Sequence, residues 1–458
     1  MSCFHFAFCL LIFDFFSLDL NVKHDAILIR PASSGVCGEI ALPGDKSISH
    51  RAVMFASIAQ GESHIINCSG GGDNRSTIGA FRSLGVEIHQ NGTDILVKGK
   101  GWQGLHAAAD TIDCGNSGTT MRLLSGLLAG CSFDSRLDGD ASLRSRPMKR
   151  VIAPLSEMGA EIVSEVAENR APLYIHGKTL RGISYRSAVA SAQVKSALIL
   201  AGLQARGKTT VWEPERSRDH TERMLPAFGV PIHVNGAEVS VDGEQELRAC
   251  DVEVPGDFSS AAFFLVAASI VPKSELYIRG VGLNPTRIGV LEALRAMGAN
   301  IQIDHLHQVC GEPVGDLVVR SSMLHGIEVN GELVVRAIDE IPILAIAAAF
   351  AQGTTTIREA QELRVKESDR LKALATTLTA LGARVVELPD GLIIEGGHQL
   401  HSGRVSSFGD HRIAMALSIA GLAGPGEIVL EQGASVAISF PSFYDLVRDL
   451  TDPATIQL

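Results

Sequence analysis

Hydrophobic and polar positions recur in a fixed order from residue 26 onward. A helix rich in small apolar residues ends at glycine or proline, a short strand follows, and a more polar second helix leads into another strand. Because the small-residue helices carry few charges, we expect them to be buried on most sides. They are predicted at residues 52–61, 122–130, 193–207, 260–272, 341–353 and 412–424.

The second helices share their ending. They are predicted at residues 74–85, 147–159, 220–229, 286–298, 368–382 and 441–450. Five of them finish with an apolar residue, a glycine and another apolar residue, and the glycines are Gly85, Gly159, Gly229, Gly298 and Gly382. A glycine just past a helix end adopts the left-handed conformation that caps the helix, and the residues after it start a strand. The pattern therefore predicts an α/β fold of six βαβαββ units.

The two halves of the chain repeat one turn. The sequence Pro-Gly-Asp-Lys-Ser at 43–47 returns as Pro-Gly-Asp-Phe-Ser at 255–259. We expect each turn to be a crossover between two lobes of three units, with the strand before Pro43 belonging to the C-terminal half. The predicted lobes are residues 27–43 with 258–458, and residues 44–257.

Residues 1–26 are predicted to be an extension outside the fold, with an incorrectly assigned start as one explanation. Their apolar run at 6–13 is too short to span a bilayer. No Lys or Arg precedes Lys23 and no A-x-A cleavage site is clear. A signal peptide or membrane anchor is therefore the less favoured alternative.

Composition narrows the class of protein. The net charge over 458 residues is −11, which disfavours a general nucleic-acid-binding protein and means that any basic cluster is local. The eight cysteines form no CxxC pair and show no zinc-like spacing with histidine. We therefore expect reduced, mostly buried thiols in a cytosolic protein.

Polar groups gather at the start of each small-residue helix. In the stretch 43–51, Lys46, Ser47 and Arg51 adjoin a helix N-terminus, where unpaired backbone N–H groups and the helix dipole favour an anion. A capped helix with solvated cations is the alternative for this stretch alone. The other five helices follow polar residues at 114–122, 191–195, 259–260, 339–340 and 409–412. If the helices of a lobe are parallel, their N-termini converge between the lobes into one large anion site.

Two further charged runs fit such a site. Lys366 and Arg370 have the spacing that places like charges on one helical face, and an anion between them would relieve their repulsion. Glu367 would lie beside that anion as an acid, although a solvated helix face is the alternative. The run 143–150 places cations at a helix predicted to begin at Pro147, where a bound anion would again be favourable.

Two acidic residues and one histidine complete the candidates. Asp339 and Glu340 precede an apolar helix, so one of them is expected to cap it. A general base is the second role open to this pair. His411 is expected to hydrogen-bond within its turn rather than to bind a metal.

With these residues assembled, the chain closely resembles the EPSP synthase family, the 3-phosphoshikimate 1-carboxyvinyltransferases. Several of the matching segments are long and share rare residue types, and together they follow the family order. They are P-G-D-K-S-I-S-H-R (43–51), G-N-S-G-T-T-M-R (115–122), S-R-P-M (145–148), S-A-Q-V-K (191–195), S-R-D-H-T-E (217–222), N-P-T-R (284–287), R-V-K-E-S-D-R (364–370) and G-D-H-R-I-A-M (409–415).

The resemblance implies a two-lobed inside-out α/β barrel built from six βαβαββ units. It implies transfer of the enolpyruvyl group of phosphoenolpyruvate to the 5-hydroxyl of shikimate 3-phosphate, with release of phosphate and without metal or cofactor. The expected partners are these two small molecules, with no nucleic acid and no membrane, and the protein is expected to be a cytoplasmic monomer.

The resemblance also implies residue roles. It implies that shikimate 3-phosphate is held by Lys46, Ser47, Arg51, Ser191, Ala192, Gln193, Ser217, Asp339 and Lys366. It implies that phosphoenolpyruvate is held by Lys46, Gly118, Arg146, Gln193, Arg370 and Arg412, in a pocket shaped by Asn116 and Arg122. Asp339 would take the proton of the 5-hydroxyl and Glu367 would deliver a proton to the methylene carbon. Lys46 could share this acid–base chemistry.

The chain departs from the family pattern at two places. Many members carry a Lys shortly before the final Phe-Pro, whereas no Lys follows Lys372 here. Glu362 stands where some members have an Asn near the substrate phosphate, so it receives no role. The combination of G-D-K-S, S-A-Q-V-K, S-R-D-H-T-E and N-P-T-R resembles the second, glyphosate-tolerant class. Strong inhibition by low-micromolar glyphosate at saturating phosphoenolpyruvate would contradict that hypothesis.

Three alternatives stand beside this interpretation. The sister enzyme that transfers enolpyruvyl to UDP-N-acetylglucosamine typically uses a Cys in a Pro-Gly-Gly-Cys loop, a context that Cys131 lacks. A nucleotide-binding P-loop requires a glycine immediately before Lys46, where this chain has Asp45. A non-catalytic anion-binding protein of the same fold would keep the cations without needing Asp339 and Glu367, and both are present.

Overall fold

The computed structural model describes residues 26–167 and 169–458. Within these ranges the helices are α1 (Lys46–Ile58), α2 (Gly72–Ser83), α3 (Gly118–Ala129), α4 (Ala141–Ser145), α5 (Lys149–Glu157), α6 (Ala192–Gln204), α7 (His220–Met224), α8 (Phe258–Ile270), α9 (Gly289–Ala296), α10 (Gly331–Ala337), α11 (Ile341–Phe350), α12 (Arg370–Ala380), α13 (His411–Ala423) and α14 (Phe443–Leu450). Short 3-10 segments occur at Trp102–Gly104, Leu225–Phe228, Gln361–Val365, Gly433–Ile438 and Pro453–Thr455. The predicted extension lies outside the described residues except for Ala26.

Each of the twelve predicted helices corresponds to a helix of the structure. The five glycines predicted to cap the second helices all have positive φ angles, between 82° and 96°. One prediction was wrong by six residues, because α1 begins at Lys46 rather than at Ala52. The Asp45 side chain accepts a hydrogen bond from the backbone N–H of Ile48, so it caps the helix at that point. Lys46 and Ser47 therefore belong to the first helical turn.

The strands form six small sheets of one plan, in which two parallel strands are followed by antiparallel neighbours. With neighbouring strands named in order, three sheets come from the first half of the chain: Leu247–Arg248, Ala59–Ile66, Asp94–Lys100 and Glu87–Asn91; Ile112–Asp113, Ser135–Asp138, Leu173–His176 and Glu161–Ser164; and Ser184–Arg186, Lys208–Trp212, Glu238–Asp242 and His233–Asn235. In the first of these, Val252–Glu253 also pairs with Ala59–Ile66. The other three sheets are Cys37–Ala41, Glu275–Gly282, Glu312–Arg320 and Asn300–Val309; Glu328–Val329, Thr354–Ile357, Gly391–Glu395 and Arg384–Leu388; and Gly403–Ser406, Ile428–Glu431, Ile27–Ile29 and Ile456–Gln457. Each sheet supplies the strands of one βαβαββ unit.

The two Pro-Gly-Asp turns lie side by side. The backbone N–H of Asp45 donates to the Pro255 carbonyl at 2.8 Å, and that of Asp257 donates to the Pro43 carbonyl at 2.9 Å. A Cβ on Gly44 would lie 1.7 Å from the Asn67 carbonyl oxygen, so only glycine fits this close approach. Just before the first turn, the strand Cys37–Ala41 pairs in parallel with Glu275–Gly282 of the C-terminal half.

Buried apolar side chains form two separate clusters. One draws its residues from 27–42 and 258–456, and the other draws its residues from 48–254. The small-residue helices lie at the centres of these clusters; in α11, for example, residues 341–349 are all buried. A helix such as α11 can be enclosed on every side because none of its residues is charged. The lobe boundaries at 43/44 and 257/258 stay a proposal.

Six cysteines fall in the described ranges, and all are free thiols. Cys68, Cys114 and Cys131 are buried, whereas Cys37 is exposed, so burial is less general than predicted. Across residues 26–167 and 169–458, no helix has both the length and the apolar composition needed to cross a membrane.

Candidate active site

The N-termini of several small-residue helices open into one cavity of about 420 Å³. Its wall includes residues from the first turns of α1, α3, α6, α8 and α13. The predicted site residues on this wall are Lys46, Ser47, Gly118, Arg122, Arg146, Ser191, Ala192, Gln193, Ser217, Asp339, Lys366, Glu367, Arg370 and Arg412. The cavity thus brings together residues from both proposed lobes.

Two predicted residues do not belong to that wall. Arg51 is buried behind it, where Nε donates to the Thr221 hydroxyl and Nη2 to the Ser196 hydroxyl, both at 2.7 Å. Asn116 instead holds a residue of the wall, because its Oδ1 accepts a hydrogen bond from Arg146 Nη2 at 2.6 Å.

Arg370 is fixed at the base of the cavity by carboxylates. Its Nε donates to Asp410 Oδ2 at 2.8 Å, and its Nη2 donates to Glu367 Oε2 at 2.7 Å. Arg370 and Asp410 are both buried, and Asp410 also caps α13 by accepting from the backbone N–H of Arg412. Burial alone would lower the pKa of Arg370, but these carboxylates raise it above its ordinary value. The guanidinium is therefore permanently charged and held in one orientation.

Asp339 faces cations from three segments. Its carboxylate pairs with Arg218, with Lys366 Nζ at 3.5 Å and with Arg370 Nη1 at 3.4 Å. Burial alone would raise the pKa of Asp339, but Arg218, Lys366 and Arg412 hold it well below its ordinary value. The carboxylate is therefore ionised around neutral pH.

Glu367 occupies a similar environment and shares Arg370 with Asp339. Arg146 Nη1 lies 3.4 Å from its Oε1, and Arg370 contacts its Oε2. Burial would raise the pKa of Glu367, but Arg370 and Arg146 hold it well below its ordinary value. The cavity therefore contains two ionised carboxylates, each surrounded by cations that an anionic ligand could attract away.

The predicted i,i+4 arrangement of Lys366 and Arg370 was wrong. α12 begins only at Arg370, because Asp369 caps it by accepting from the backbone N–H of Lys372. Lys366 follows the 3-10 segment Gln361–Val365 and has an extended conformation. The two cations nevertheless meet, since both face Asp339.

The expectations for three helix starts were also inaccurate. The helix predicted to begin at Pro147 begins at Lys149. Glu340 precedes α11 without capping it by its side chain, which instead accepts hydrogen bonds from the Ser259 hydroxyl and from Arg412 Nη1. The ring nitrogens of His411 have no hydrogen-bond partner within the described ranges, and burial lowers the pKa of His411 to about 4. His411 is therefore a neutral wall residue rather than part of a turn network.

Sequence reasoning missed three cations of the wall, Arg150, Arg218 and Arg287. Arg218 pairs with Asp339, and Arg287 donates to the Ser259 hydroxyl. Arg150 Nη1 donates to Glu362 Oε1 at 2.6 Å, a contact between the two proposed lobes. All three lie in segments named in the sequence analysis, so their place in those segments could have indicated that they belong to the site. No residue of 435–441 reaches the described wall, whereas these arginines do.

One protein family matches this chain over most of its length. The profile of EPSP synthase (3-phosphoshikimate 1-carboxyvinyltransferase) matches residues 31–447. The chain belongs to the EPSP synthase family. A 3-phosphoshikimate 1-carboxyvinyltransferase of Geobacter metallireducens is 55% identical over 420 residues, which cover 92% of this chain and 98% of that protein. A relative of the same name from Desulfitobacterium hafniense is 50% identical over 435 residues and covers 95% and 100%.

Solved structures agree with this membership in the EPSP synthase family. The EPSP synthase of Acinetobacter baumannii superposes with a TM-score of 0.85 at 43% identity, covering 94% of this chain and 99% of that one. The enolpyruvyl transferase NikO of Streptomyces tendae superposes with a TM-score of 0.74 at 20% identity, covering 94% and 98%, and shares the fold alone. The predicted fold class and family are thereby confirmed, while the glyphosate-tolerant class stays a prediction.

Proposed function

We propose that the protein transfers the enolpyruvyl group of phosphoenolpyruvate to the 5-hydroxyl of shikimate 3-phosphate, a step of the shikimate pathway. The products are 5-enolpyruvylshikimate 3-phosphate and phosphate. One observation carries this proposal: in a member of the EPSP synthase family, a single cavity is lined by many cations together with Asp339 and Glu367.

Charge in the cavity suits these substrates. Two phosphates and two carboxylates bring about five to six negative charges. Nine Lys and Arg residues and seven Asp and Glu residues line the cavity, so its wall carries net positive charge although the whole chain carries −11. Eight of these cations are paired with acids, whereas Arg122 donates to Gln193. We infer that the substrates replace those acids as partners.

We assign the shikimate 3-phosphate site to residues on α1, on α6 and in the loops nearby. Ser191 and Ser217 would offer hydroxyls to the phosphate, and Lys46 and Lys366 would offer charge. Arg51 lies behind the cavity wall and would act indirectly. Its Nη1 donates to the Ser47 carbonyl at 2.9 Å and so stabilises the first turn of α1. The full proposed set is Lys46, Ser47, Arg51, Ser191, Ala192, Gln193, Ser217, Asp339 and Lys366.

We assign the phosphoenolpyruvate site to the arginines around Glu367. Arg146 and Arg370 contact the two oxygens of this carboxylate from opposite lobes. Gln193 links this region to the acceptor site, since its Oε1 accepts from Arg122 Nη1 at 2.6 Å. The full proposed set is Lys46, Asn116, Gly118, Arg122, Arg146, Gln193, Arg370 and Arg412.

The proposed chemistry is an addition followed by an elimination. Asp339 accepts the proton of the 5-hydroxyl as that oxygen bonds to C2 of phosphoenolpyruvate, while Glu367, which has taken up a proton from solvent, gives that proton to C3. Asp339 returns its own proton to solvent by the end of the cycle. Glu367 then removes a proton from C3 as the C2–O bond to phosphate breaks, and Lys46 remains a candidate to share this work. Anionic substrates would engage the cations around both carboxylates and raise their pKa values toward the range in which protons are exchanged.

The remaining parts of the proposal concern organisation. Because the assigned residues come from both 44–257 and 258–458, approach of the two lobes would complete the site. We propose a cytoplasmic monomer that requires neither metal nor cofactor and binds neither nucleic acid nor membrane.

Phosphate release provides the test. Purified protein is incubated with phosphoenolpyruvate and shikimate 3-phosphate, with each substrate omitted in turn and with EDTA present. We expect release that requires both substrates and survives EDTA. Phosphate release that occurs only with UDP-N-acetylglucosamine would indicate the sister activity. No phosphate release with either acceptor would indicate a non-catalytic anion-binding protein of the same fold.

The sister activity is the second candidate, and one observation weighs against it. Cys131 is buried, and burial raises the pKa of its thiol to about 12. A thiol in that state is neither accessible nor ionised.

A further inference from the structure

A buried carboxylate stands directly behind the proposed phosphate subsite. Glu213 follows the strand Lys208–Trp212, and its side chain is 1% exposed. Two serines lie in front of it on the cavity wall, whereas Glu213 itself does not reach the wall. A buried carboxylate so close to a proposed site for a phosphate dianion is unfavourable unless its charge is paired and hydrogen-bonded.

Glu213 binds both serines. Its Oε1 accepts the backbone N–H of Ser191 at 2.9 Å and the hydroxyl of Ser217 at 2.6 Å. Its Oε2 accepts the backbone N–H of Ser217 at 3.3 Å. Ser191 immediately precedes α6 and Ser217 precedes α7, so this one carboxylate sets the distance between two elements.

The negative charge of Glu213 is balanced from within the protein. Lys195 Nζ lies 2.8 Å from Glu213 Oε2 and 2.8 Å from Glu222 Oε1, and its side chain is 1% exposed. Burial alone would lower the pKa of Lys195, but Glu222 and Glu213 raise it above its ordinary value. Lys195 ends the polar run 191–195, which was expected at the anion site, but its side chain is not part of the cavity wall.

We propose that Glu213, held by Lys195, is the positioning residue of the phosphate subsite. It fixes the backbones of Ser191 and Ser217 so that both serine hydroxyls reach the phosphate of the acceptor. When the Ser217 hydroxyl turns to the ligand, Glu213 keeps both backbone N–H bonds and the Lys195 pair, so the subsite retains its shape. The inference rests on the proposed function, because it presumes that the phosphate lies against these serines.

The first test is the near-isosteric substitution Glu213→Gln. Losing the charge leaves Lys195 facing an amide and weakens the hold on Ser217. We expect KM for shikimate 3-phosphate to rise about tenfold, the effect of one lost charge-assisted hydrogen bond, with KM for phosphoenolpyruvate nearly unchanged. A rise of both KM values by equal factors would overturn the proposal. Glu213→Asp, which keeps the charge but shortens the reach, is expected to shift the same KM and serves if the Gln variant does not fold.

Glu312→Gln is the matched control. Glu312 is an equally buried carboxylate that accepts from His220 Nδ1 and Asn284 Nδ2, and it holds no serine of the wall. We expect it to lower thermal stability without shifting KM for shikimate 3-phosphate. The same selective KM shift in this control would overturn the proposal, since any lost buried carboxylate would then produce it.

A double-mutant cycle with Ser217→Ala separates positioning from general damage. If Glu213 acts through Ser217, Glu213→Gln is expected to cost clearly less in KM once the Ser217 hydroxyl is gone, whereas additive effects would overturn the proposal. The single variants also separate this inference from the proposed function. An unchanged KM for shikimate 3-phosphate in Ser217→Ala would refute the assigned phosphate subsite, whereas a changed KM there with none in Glu213→Gln would refute only the positioning role.

Discussion

Arg370 and Asp410 form a fully buried ion pair, with Arg370 Nε 2.8 Å from Asp410 Oδ2. Asp410 is also the cap of α13, so the residue that starts this helix fixes the arginine proposed to bind phosphoenolpyruvate. The Asp410 carboxylate therefore caps α13 and orients Arg370 at the same time.

Removing the Arg370 guanidinium is expected to damage catalysis. A charge-assisted hydrogen bond contributes roughly 1.5–3 kcal/mol, so Arg370→Ala should lose on the order of 2 kcal/mol or more in transition-state binding, measured as kcat/KM. Arg364→Ala is the matched control, because Arg364 pairs with Asp369 and Glu387 away from the cavity wall. Near wild-type kcat/KM in Arg370→Ala would show the assigned role to be wrong.

Asp410 is expected to matter for stability. Asp410→Ala would leave the buried Arg370 charge without its most deeply buried partner, so the free energy of unfolding should fall by about 3–5 kcal/mol. Asp452→Ala removes an exposed cap that accepts from the Ala454 N–H, and about 1 kcal/mol is expected there. Denaturant unfolding of both variants measures the difference, and equal losses would mean that capping alone explains the role of Asp410.

Stability should depend on pH through Asp339. The cations around Asp339 hold its folded-state pKa well below the unfolded-state pKa near 4. Its contribution is therefore complete above about pH 4 and is lost as pH falls through the folded-state pKa. Urea unfolding between about pH 7 and pH 3 should show wild type more stable than Asp339→Asn at neutral pH, with the gap closing in acid. A gap independent of pH would contradict the ionised state assigned to Asp339.

Gly118 is expected to control the room available to two arginines. An added Cβ would lie 2.7 Å from Arg122 Nη1 and 3.4 Å from Arg146 Nη1. Because these are the ends of long side chains, Gly118→Ala should fold but displace the guanidinium groups. We expect a several-fold rise in KM for phosphoenolpyruvate, in keeping with about 1 kcal/mol of lost interaction.

Gly79→Ala is the control for that substitution. Gly79 lies within α2, and a Cβ there meets no atom within 4 Å. It should leave both KM values unchanged and add about 0.5–1 kcal/mol of stability through helix propensity. An unchanged KM for phosphoenolpyruvate in Gly118→Ala would show that the two arginines do not need this space.

Local patterns were enough to predict much of the fold. The glycines that end the second helices, such as Gly85 and Gly382, have the left-handed backbone that their position requires. The aspartate of the Pro-Gly-Asp turn was not recognised as a cap, and the start of α1 was therefore misplaced. Capping by one side chain overrides propensity over a few residues, so helix boundaries were less well predicted than helix number.

Local patterns could not predict the direction in which individual side chains point. Arg51 and Lys195 both lie on small-residue helices near an N-terminus, yet Arg51 turns to Ser196 and Thr221 and Lys195 turns to two glutamates. Arg218 lies in the S-R-D-H-T-E segment but received no role from the sequence, and it pairs with Asp339 from the other half of the chain.

The sequence by itself determined the six-unit architecture, the family and the segments that carry the site, because periodicity, capping glycines and motifs are properties of neighbouring residues. Only the tertiary structure decided which cations of those segments line one cavity and which have buried partners behind it. Those choices depend on partners more than a hundred residues away, such as Arg218 with Asp339 or Arg146 with Glu367. Such partners meet only when the small-residue helices pack and bring their N-termini together.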